Sequence, residues 1–326
     1  MIPYIDLHCD TLLSAWRAKQ PDLEWLPQAS VDLERLKKGG CAAQFFAVFL
    51  PPRQALDAQG LADLSDDAYI DQLLDIYRRT LENHPHRIAH AGTAADLRAN
   101  LDAGKVSGFL TLEDGRAVDG SLEKLEGFYR RGIRLISLTW NGANCFGSPN
   151  STDPAVMAAE LTDFGKEAVE RMEQLGMLVD VSHLSDGGFW DVSRLCKGPF
   201  VASHSNCRAL NPHPRSLTDE MLRTLAEHGG VAGLNFAPEF LNGDITCQDS
   251  RVEDMVTQLR HRINVGGEDC AALGSDLDGI GGRLEIDSSA AMPRLFEALQ
   301  KAGFTSRLIE KIAFGNAFRV LGDVLK

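Results

Sequence analysis

Residues 159–183, AELTDFGKEAVERMEQLGMLVDVSH, contain the pattern that decides the fold. Their first part places apolar residues on one helical face and predicts an amphipathic helix over 159–177. The apolar residues of that face are Leu161, Phe164, Ala168 and Met172. The run that follows, Leu178 to Ser182, is short, apolar and β-branched, which predicts a buried strand. Helix followed directly by strand is the repeating unit of parallel α/β folds.

The same alternation recurs along the whole chain. The predicted strands are Pro3 to Leu7, Ala43 to Leu50, Ser107 to Leu112, Arg134 to Thr139, Leu178 to Ser182, Phe200 to Ser203, Val231 to Phe236 and Ala271 to Ser275. Further helices are predicted over Asp63 to Leu81, 121–132 and 216–230, the last with Ser216 and Asp219 at its cap and first turn. The segment from Pro51 to His90 is longer than a minimal crossover between two parallel strands. It predicts a second βα unit with additional structure.

Eight strand and helix units favour an α/β fold of the (β/α)8 TIM type, with C-terminal helices, over an open doubly wound sheet. No G-x-G-x-x-G motif follows a strand, as such a sheet would normally require. No linker or repeat marks a boundary, so one domain is predicted over residues 1–326.

The composition and net charge of the chain argue against several classes of function. The chain has 326 residues, a formal net charge of -13 and 44% hydrophobic residues, which are values typical of a globular protein. The negative balance and the absence of basic runs argue against nucleic acid as a partner. The start lacks signal-peptide features, and no apolar run is long enough for a membrane span. Seven scattered cysteines without C-x-x-C spacing indicate neither disulfides nor a zinc knuckle, so a cytoplasmic location is expected.

Polar residues at the strand ends indicate a functional site. His8 and Asp10 follow the first strand, and the other four residues end later strands; these are Glu113, His183, His204 and Asp276. In such barrels the carboxyl ends of the strands form one rim that carries the active site. Each residue alone also fits a cap, a helix entry or a core histidine. Together they favour a metal site, because clustered carboxylates repel one another unless a cation lies among them.

The donor types limit the metal. Imidazole nitrogens and carboxylate oxygens without thiolate suit zinc, with cobalt or manganese as alternatives. Five or six ligands exceed one tetrahedral site, and two ions bridged by a carboxylate and a hydroxide would use them all. Cys9 lies between His8 and Asp10 and should point away from them, because alternate strand residues face opposite sides.

Several motifs also carry a family resemblance. DLHCDT at 6–11, TLEDG at 111–115, LTWNGAN at 138–144, DVSHLS at 180–185, SHSNCRAL followed by HPRSLTDEML, and GSDLDGI at 274–280 resemble the signatures of the renal (membrane) dipeptidase family, peptidase family M19, in the amidohydrolase superfamily. The tail EKIAFGNAFRVL at 310–321 is also similar to that family.

The resemblance implies a binuclear barrel with two zinc ions (Zn2+) per chain. In it, His8 and Asp10 hold one ion, His183 and His204 hold the other, and Glu113 bridges both. Dimers are common in that family, so the resemblance also implies that two copies of this chain form a homodimer.

Three further positions follow from the resemblance. Asp276 matches the residue that contacts the bridging hydroxide and passes its proton to the leaving amine. Arg215, eleven residues after His204, matches the arginine that binds the substrate carboxylate, a role that suits a guanidinium. A surface arginine at a helix start is the alternative for Arg215. Asp278 has no ligand role in the family pattern and is expected to be a turn acid before Gly279.

The chain departs from the animal members of the family at two places. They carry a histidine after Leu-Thr on strand four, where this chain has Trp140 followed by Asn141. An indole donates one hydrogen bond but cannot become cationic, so oxyanion stabilisation should depend more on the metals. After strand seven those members carry a tyrosine near the substrate, where this chain has Ala237.

The resemblance implies that the protein is a zinc-dependent dipeptidase. In such an enzyme a metal-bridged hydroxide attacks the peptide carbonyl of a small dipeptide substrate. The substrate-binding residues would be Arg215, Trp140 and Asn141. One alternative is a related amidohydrolase that acts on N-acyl amino acids or lactones. The other is a metal-binding barrel without turnover, which Trp140 favours and the intact acid Asp276 opposes.

Overall fold

A computed structural model describes residues 2–326 and places eight parallel strands in a closed barrel. The strands of the chain are β1 Tyr4–Cys9, β2 Cys41–Phe49, β3 Ile88–His90, β4 Val106–Glu113, β5 Ile133–Ser137, β6 Leu178–Asp180, β7 Val201–Ala202, β8 Val231–Leu234, β9 Asp249–Ser250, β10 Ala271–Leu273 and β11 Arg283–Leu284. The order around the barrel is β2-β1-β10-β8-β7-β6-β5-β4, and β4 pairs with β2 to close it. The predicted (β/α)8 TIM-type fold is confirmed.

Helices connect the strands and cover the barrel. They are α1 Thr11–Arg17, α2 Leu33–Gly39, α3 Arg53–Ala58, α4 Asp66–Asn83, α5 Ala94–Asp102, α6 Leu122–Arg130, α7 Pro154–Met157, α8 Asp163–Leu175, α9 Asp186–Leu195, α10 Asp219–Glu227, α11 Val252–Gly266, α12 Pro293–Lys301, α13 Ser306–Glu310 and α14 Asn316–Val324. Local sequence fixes their ends. Thr162 caps α8 by accepting a hydrogen bond from the Gly165 amide, and Gly176 ends it in the left-handed region.

One predicted helix cap was wrong, and the short strands β3, β9 and β11 were not predicted. The cap of α10 is Thr218 rather than Ser216, because the Thr218 hydroxyl accepts from the Met221 amide. Ser216 is buried instead, and its hydroxyl donates to Asn211 Oδ1 at 3.2 Å. The second βα unit contains α3, α4 and also the short strand β3. β3 pairs with the first part of β4, below the point at which β5 begins to pair with it.

The barrel interior is filled by side chains from each of the eight barrel strands. Most of these side chains are fully buried; they are Ile5, Leu7, Ala43, Phe45, Phe109, Leu135, Leu178, Val201, Val231 and Ala272. The rings of Phe45 and Phe109 stack with centroids 4.6 Å apart at its centre. The C-terminal helix α14 belongs to the same cluster through Ala317, Val320 and Leu321. The opposite end of the barrel remains available for polar groups.

An irregularity in β1 determines which of its last residues face the carboxyl end of the barrel. Ile5 and Leu7 belong to the interior cluster, so strict alternation would also turn Cys9 inward. The pairing of β1 with β2 shifts register between Asp6 and Cys9. Beyond this shift Cys9 belongs to the outer cluster, as its predicted packing role requires, and Asp10 lines the cavity at the barrel mouth.

No helix in residues 2–326 has both the length and the apolar composition needed to cross a membrane.

Candidate active site

The six predicted site side chains lie together at the carboxyl end of the barrel. His8 is in β1 and Glu113 is the last residue of β4. The remaining four lie in the loops that directly follow β1, β6, β7 and β10; they are Asp10, His183, His204 and Asp276. All six are at least nine-tenths buried apart from His183 and Asp276, whose side chains are 11% and 14% exposed.

Glu113 is the centre of the cluster. Its Oε2 lies 3.2 Å from His8 Nε2. Its Oε1 lies 3.1 Å from His183 Nε2 and 3.5 Å from His204 Nε2. One carboxylate therefore contacts imidazoles from two sides of the barrel, with a different oxygen for each side.

The β1 side of the cluster adds two more carboxylates. His8 Nε2 lies 3.5 Å from Asp10 Oδ2 and 3.9 Å from Asp276 Oδ1. Asn235, from the loop after β8, donates from Nδ2 to Asp276 Oδ2 at 2.8 Å and leaves Oδ1 directed at the cluster. A Cβ at Gly279 would lie 2.2 Å from Asp10 Oδ2 and 2.6 Å from Asp276 Oδ1, so only glycine fits there.

Unusual backbone accompanies these side chains. His183, Asp276 and Asp278 have φ angles of 69°, 62° and 72°, in the left-handed region that favours glycine. Non-glycine residues in this region cluster at functional sites, where the surrounding structure holds them.

Hydrogen bonds orient two of the three imidazoles. His183 Nδ1 lies 3.2 Å from Asn141 Oδ1. His204 Nδ1 lies 2.6 Å from the Ser203 hydroxyl, which donates to Asp180 Oδ2 at 2.6 Å. An acceptor at Nδ1 places the proton there and leaves the Nε2 lone pair free to bind a metal.

Electrostatics favour a cation at the cluster. Burial opposes the ionised form of Glu113, but His8, His183 and His204 lower its pKa well below the usual value. Burial opposes the protonated form of His8, yet Glu113 and Asp10 raise its pKa well above the usual value. Burial and the charge of Arg215 lower the pKa of His183 to about 4, so His183 is neutral near pH 7, as a metal ligand must be.

Asp276 differs from an ordinary surface carboxyl. Burial, reinforced by the charges of Asp10 and Glu113, raises its pKa to about 8. A carboxyl with this value exchanges protons near neutral pH.

The donor set fits divalent metal. Both ring nitrogens of His8 and Oδ1 of Asp10 are buried without a hydrogen-bond partner in residues 2–326. Leaving such groups unsatisfied is costly, and a cation would satisfy His8 Nε2 and Asp10 Oδ1. Two sets of donor atoms each lie within 4.8 Å of one another: His8, Glu113 and His204 in one, and His8, Asp10 and Asp276 in the other.

A cavity of about 370 Å³ opens above the cluster. Trp140 and Asn141 line it, with the Trp140 ring against Phe49 at 5.0 Å between centroids. Ala237 is fully buried and does not line it, whereas the neighbouring Phe240 does.

Two charged residues of the cavity wall were not predicted from the sequence; they are Arg17 and Glu239. The signal for Arg17 is helical spacing, because Asp10, Leu13 and Arg17 follow the i, i+3, i+7 pattern of one helix face. Glu239 lies in the NFAPEF segment directly after β8.

Arg215 lies behind the cluster rather than on the cavity wall. Its side chain is fully buried beside His204, and its surface-arginine alternative is wrong because the residue is only 5% exposed. Nη2 donates to the His204 carbonyl at 3.0 Å and Nη1 donates to the Ser205 hydroxyl. Nε is buried without a partner in the described chain.

Asp278 is more than a turn acid. Its carboxylate accepts from the Thr11 hydroxyl at 2.7 Å and from the Ser30 amide at 2.6 Å. It thereby ties the loop after β10 to the start of α1, beside Asp10.

Comparisons with known proteins agree on one family. A family model described as membrane dipeptidase (peptidase family M19) matches residues 1–326. A relative from Klebsiella pneumoniae, described as an uncharacterized protein in the pqqA 5′ region, is 35% identical over 78% of this chain and 95% of its own. The dipeptidase aclJ of Aspergillus oryzae is 29% identical over 90% of this chain and 70% of its own. A metallo peptidase from Rhodobacter sphaeroides, solved with a phosphinate mimic of the dipeptide L-Ala-D-Ala, has a TM-score of 0.89 and 30% identity, with 99% of each chain covered.

Proposed function

The chain belongs to the membrane dipeptidase family, peptidase family M19, and from this premise we propose that it is a dipeptidase that uses two zinc ions per chain. The observation that carries the proposal is the position of Glu113, because one of its oxygens contacts His8 and the other contacts His183 and His204. His8 and Asp10 would hold one ion, His183 and His204 the other, and Glu113 both. When bound, such ions polarise a carbonyl and lower the pKa of water, which hydrolysis of an unactivated amide requires.

Asp276 is proposed to carry the proton. Its Oδ2 is held by Asn235, while Oδ1 faces the cluster on which the scissile carbonyl would lie. From this place the ionised form of the carboxyl would take the proton of the attacking water and deliver it to the departing amino group. Two free amino acids are then released.

Arg215 is proposed to bind the free carboxylate of the substrate. A buried guanidinium without a carboxylate partner in the described chain, and with Nε unpaired, favours an anion supplied by a ligand. Held there, the carboxylate would place the peptide bond over the cluster and exclude chains that continue past it.

Trp140 and Asn141 have separate proposed roles. The Trp140 ring forms part of the wall against which the substrate packs. Asn141 lines the same cavity and orients His183 through Nδ1, so it supports the cluster as well as the substrate. The cytoplasmic location and the homodimer stay predictions.

A substrate panel tests the proposal. Zinc-loaded protein should hydrolyse L-Ala-L-Ala and L-Ala-D-Ala, but not L-Ala-L-Ala-L-Ala or C-terminally amidated Ala-Ala at a comparable rate. Faster hydrolysis of N-acetyl-alanine or of a lactone would instead support the related amidohydrolase. No turnover of any of these compounds by protein with full metal content would support a barrel that only binds metal.

A further inference from the structure

Arg17 is a cation in the cavity with no assigned partner. It is the last residue of α1, exposed, and lines the cavity above the metal-binding cluster. Within residues 2–326 its guanidinium has no ion pair within 4.0 Å and no side-chain hydrogen bond. Among the described residues that line the cavity it is the one arginine or lysine.

The α1 helix directs this cation at the cavity. Asp10, Leu13 and Arg17 share one helix face, and all three line the cavity. Side chains of a helix lean toward its N-terminus, which here is the end at Asp10.

The surroundings of Arg17 suit an anion with an apolar stem. Leu13, Pro51, Pro52 and Ala55 line the same cavity as Arg17. Methylene groups pack on such side chains while a carboxylate at their end reaches the guanidinium.

The main-chain carboxylate of a dipeptide is not this anion. It lies one residue from the scissile carbonyl, about 3.5 Å, and is proposed above to bind Arg215 beside His204. Arg215 follows β7 and Arg17 follows β1, with β8 and β10 between those strands in the barrel. The Cα of Arg17 is seven helical positions from that of Asp10, about 10 Å along the axis. A carboxylate that reaches Arg17 therefore belongs to a side chain.

We propose that Arg17 is a specificity-determining residue that binds the side-chain carboxylate of a glutamyl dipeptide. The inference rests on the proposed dipeptidase function and deepens it by naming the substrate class. The enzyme then prefers a glutamyl residue to its uncharged isostere, glutaminyl, at one of the two substrate positions.

The experiment compares Glu-Ala with Gln-Ala, and Ala-Glu with Ala-Gln, in zinc-loaded protein. The parent should show a kcat/KM ratio of about 10 or more for the acid over the amide in one pair. Arg17→Met should lower this ratio to about 1 or 2, and Arg17→Lys should retain part of it. Added salt should weaken the parent's preference, because the pair is partly exposed to solvent.

Lys19→Met is the matched control. Lys19 is two residues further on, also exposed and cationic, but lies on a different surface depression with Trp16 and Gln72. This variant removes the same charge and should keep the parent ratio. An equal fall in Lys19→Met would mean that general electrostatic attraction, rather than contact, sets the preference, and would overturn the proposal.

Two further outcomes separate this inference from the proposed function. Parent protein that hydrolyses Ala-Ala but shows no preference for Glu over Gln in either pair keeps the dipeptidase and overturns the role of Arg17. A loss in Arg17→Met that is equal for acid and amide also overturns it, because Arg17 would then act on the main chain. Failure to hydrolyse any dipeptide would reject the proposed function itself.

Discussion

The β1 half and the β6–β7 half of the cluster hold their imidazoles in different ways. His183 and His204 each have a hydrogen-bond acceptor at Nδ1, from Asn141 and Ser203 respectively. His8 has no such partner in the described chain. It is fully buried and its ring stacks on that of His204, with centroids 3.8 Å apart.

The contrast is sharper because both halves contain an aspartate and serine pair. Ser203 donates to Asp180 at 2.6 Å, and Ser275 donates to Asp6 at 2.6 Å. Only the first pair contacts an imidazole side chain. Hydrogen bonds therefore orient the imidazoles of the β6–β7 half, and packing orients the imidazole of the β1 half. Glu113 contacts the imidazoles of both halves.

The largest expected effect comes from breaking that junction. Glu113→Gln removes the carboxylate shared by both halves, so bound zinc should fall from about two ions per chain to well below one, with loss of turnover. Atomic emission on the purified, zinc-loaded variant measures this. Glu239→Gln is the control, because Glu239 lines the same cavity outside the cluster and should keep both ions. Two retained ions in Glu113→Gln would refute the bridging role.

Asp276 extends the β1 half toward the reaction, since its amide donates to the His8 carbonyl at 3.1 Å. Asp276→Asn should lower kcat for Ala-Ala by at least ~100-fold, because the side-chain amide of asparagine cannot take up and release the proton as a carboxyl group does. Metal content should remain at the parent level. Turnover near that of the parent would remove Asp276 from the mechanism.

Arg215 adjoins the β6–β7 half beside His204, and its proposed role is to bind the substrate carboxylate. Loss of its charge-assisted pair should cost about 2 to 4 kcal/mol, or roughly 30- to 1000-fold in kcat/KM for free dipeptides. Arg215→Ala should affect amidated dipeptides little, since they never form the pair. Thermal unfolding of the variant reports any loss of fold, because Arg215 also holds Ser205 and the His204 carbonyl. Equal losses on both substrates would assign Arg215 to structure alone.

The smallest effect tests the two aspartate and serine pairs directly. Ser203→Ala removes the partner of His204 Nδ1 and should weaken zinc binding by ~10- to 100-fold, as loss of an outer partner of a metal ligand usually does. Ser275→Ala removes the corresponding hydroxyl in the β1 half and should leave zinc affinity within about threefold, since no imidazole depends on it. Competition with a chelator measures both. An equal loss of zinc affinity in the two variants would contradict the view that a serine orients an imidazole in the β6–β7 half only.

Much of the fold and the cluster could be predicted because apolar runs mark the strands and a polar residue ends many of them. A barrel brings strand ends together, so Glu113 and His183 needed no contiguous motif to be placed side by side. β3 escaped prediction because Ile88–His90 is short and partly exposed, without a run long enough to show a period.

Other features depend on tertiary geometry that sequence does not encode locally. The register shift in β1 turns Cys9 outward and keeps Asp10 in the cavity, although the spacing alone is that of a plain strand. The Ser203 and Asp180 relay joins residues from two strands, and the burial of Arg215 depends on how its loop folds behind His204.

The proposed function requires two zinc ions, one on either side of Glu113. Crystals of zinc-loaded protein measured at the zinc absorption edge test it most directly through the anomalous difference map. Two peaks are expected at full occupancy, one beside His8 and Asp10 and one beside His183 and His204, with Glu113 in contact with both. A single peak in the cluster, or none, in fully loaded and active protein would contradict the account.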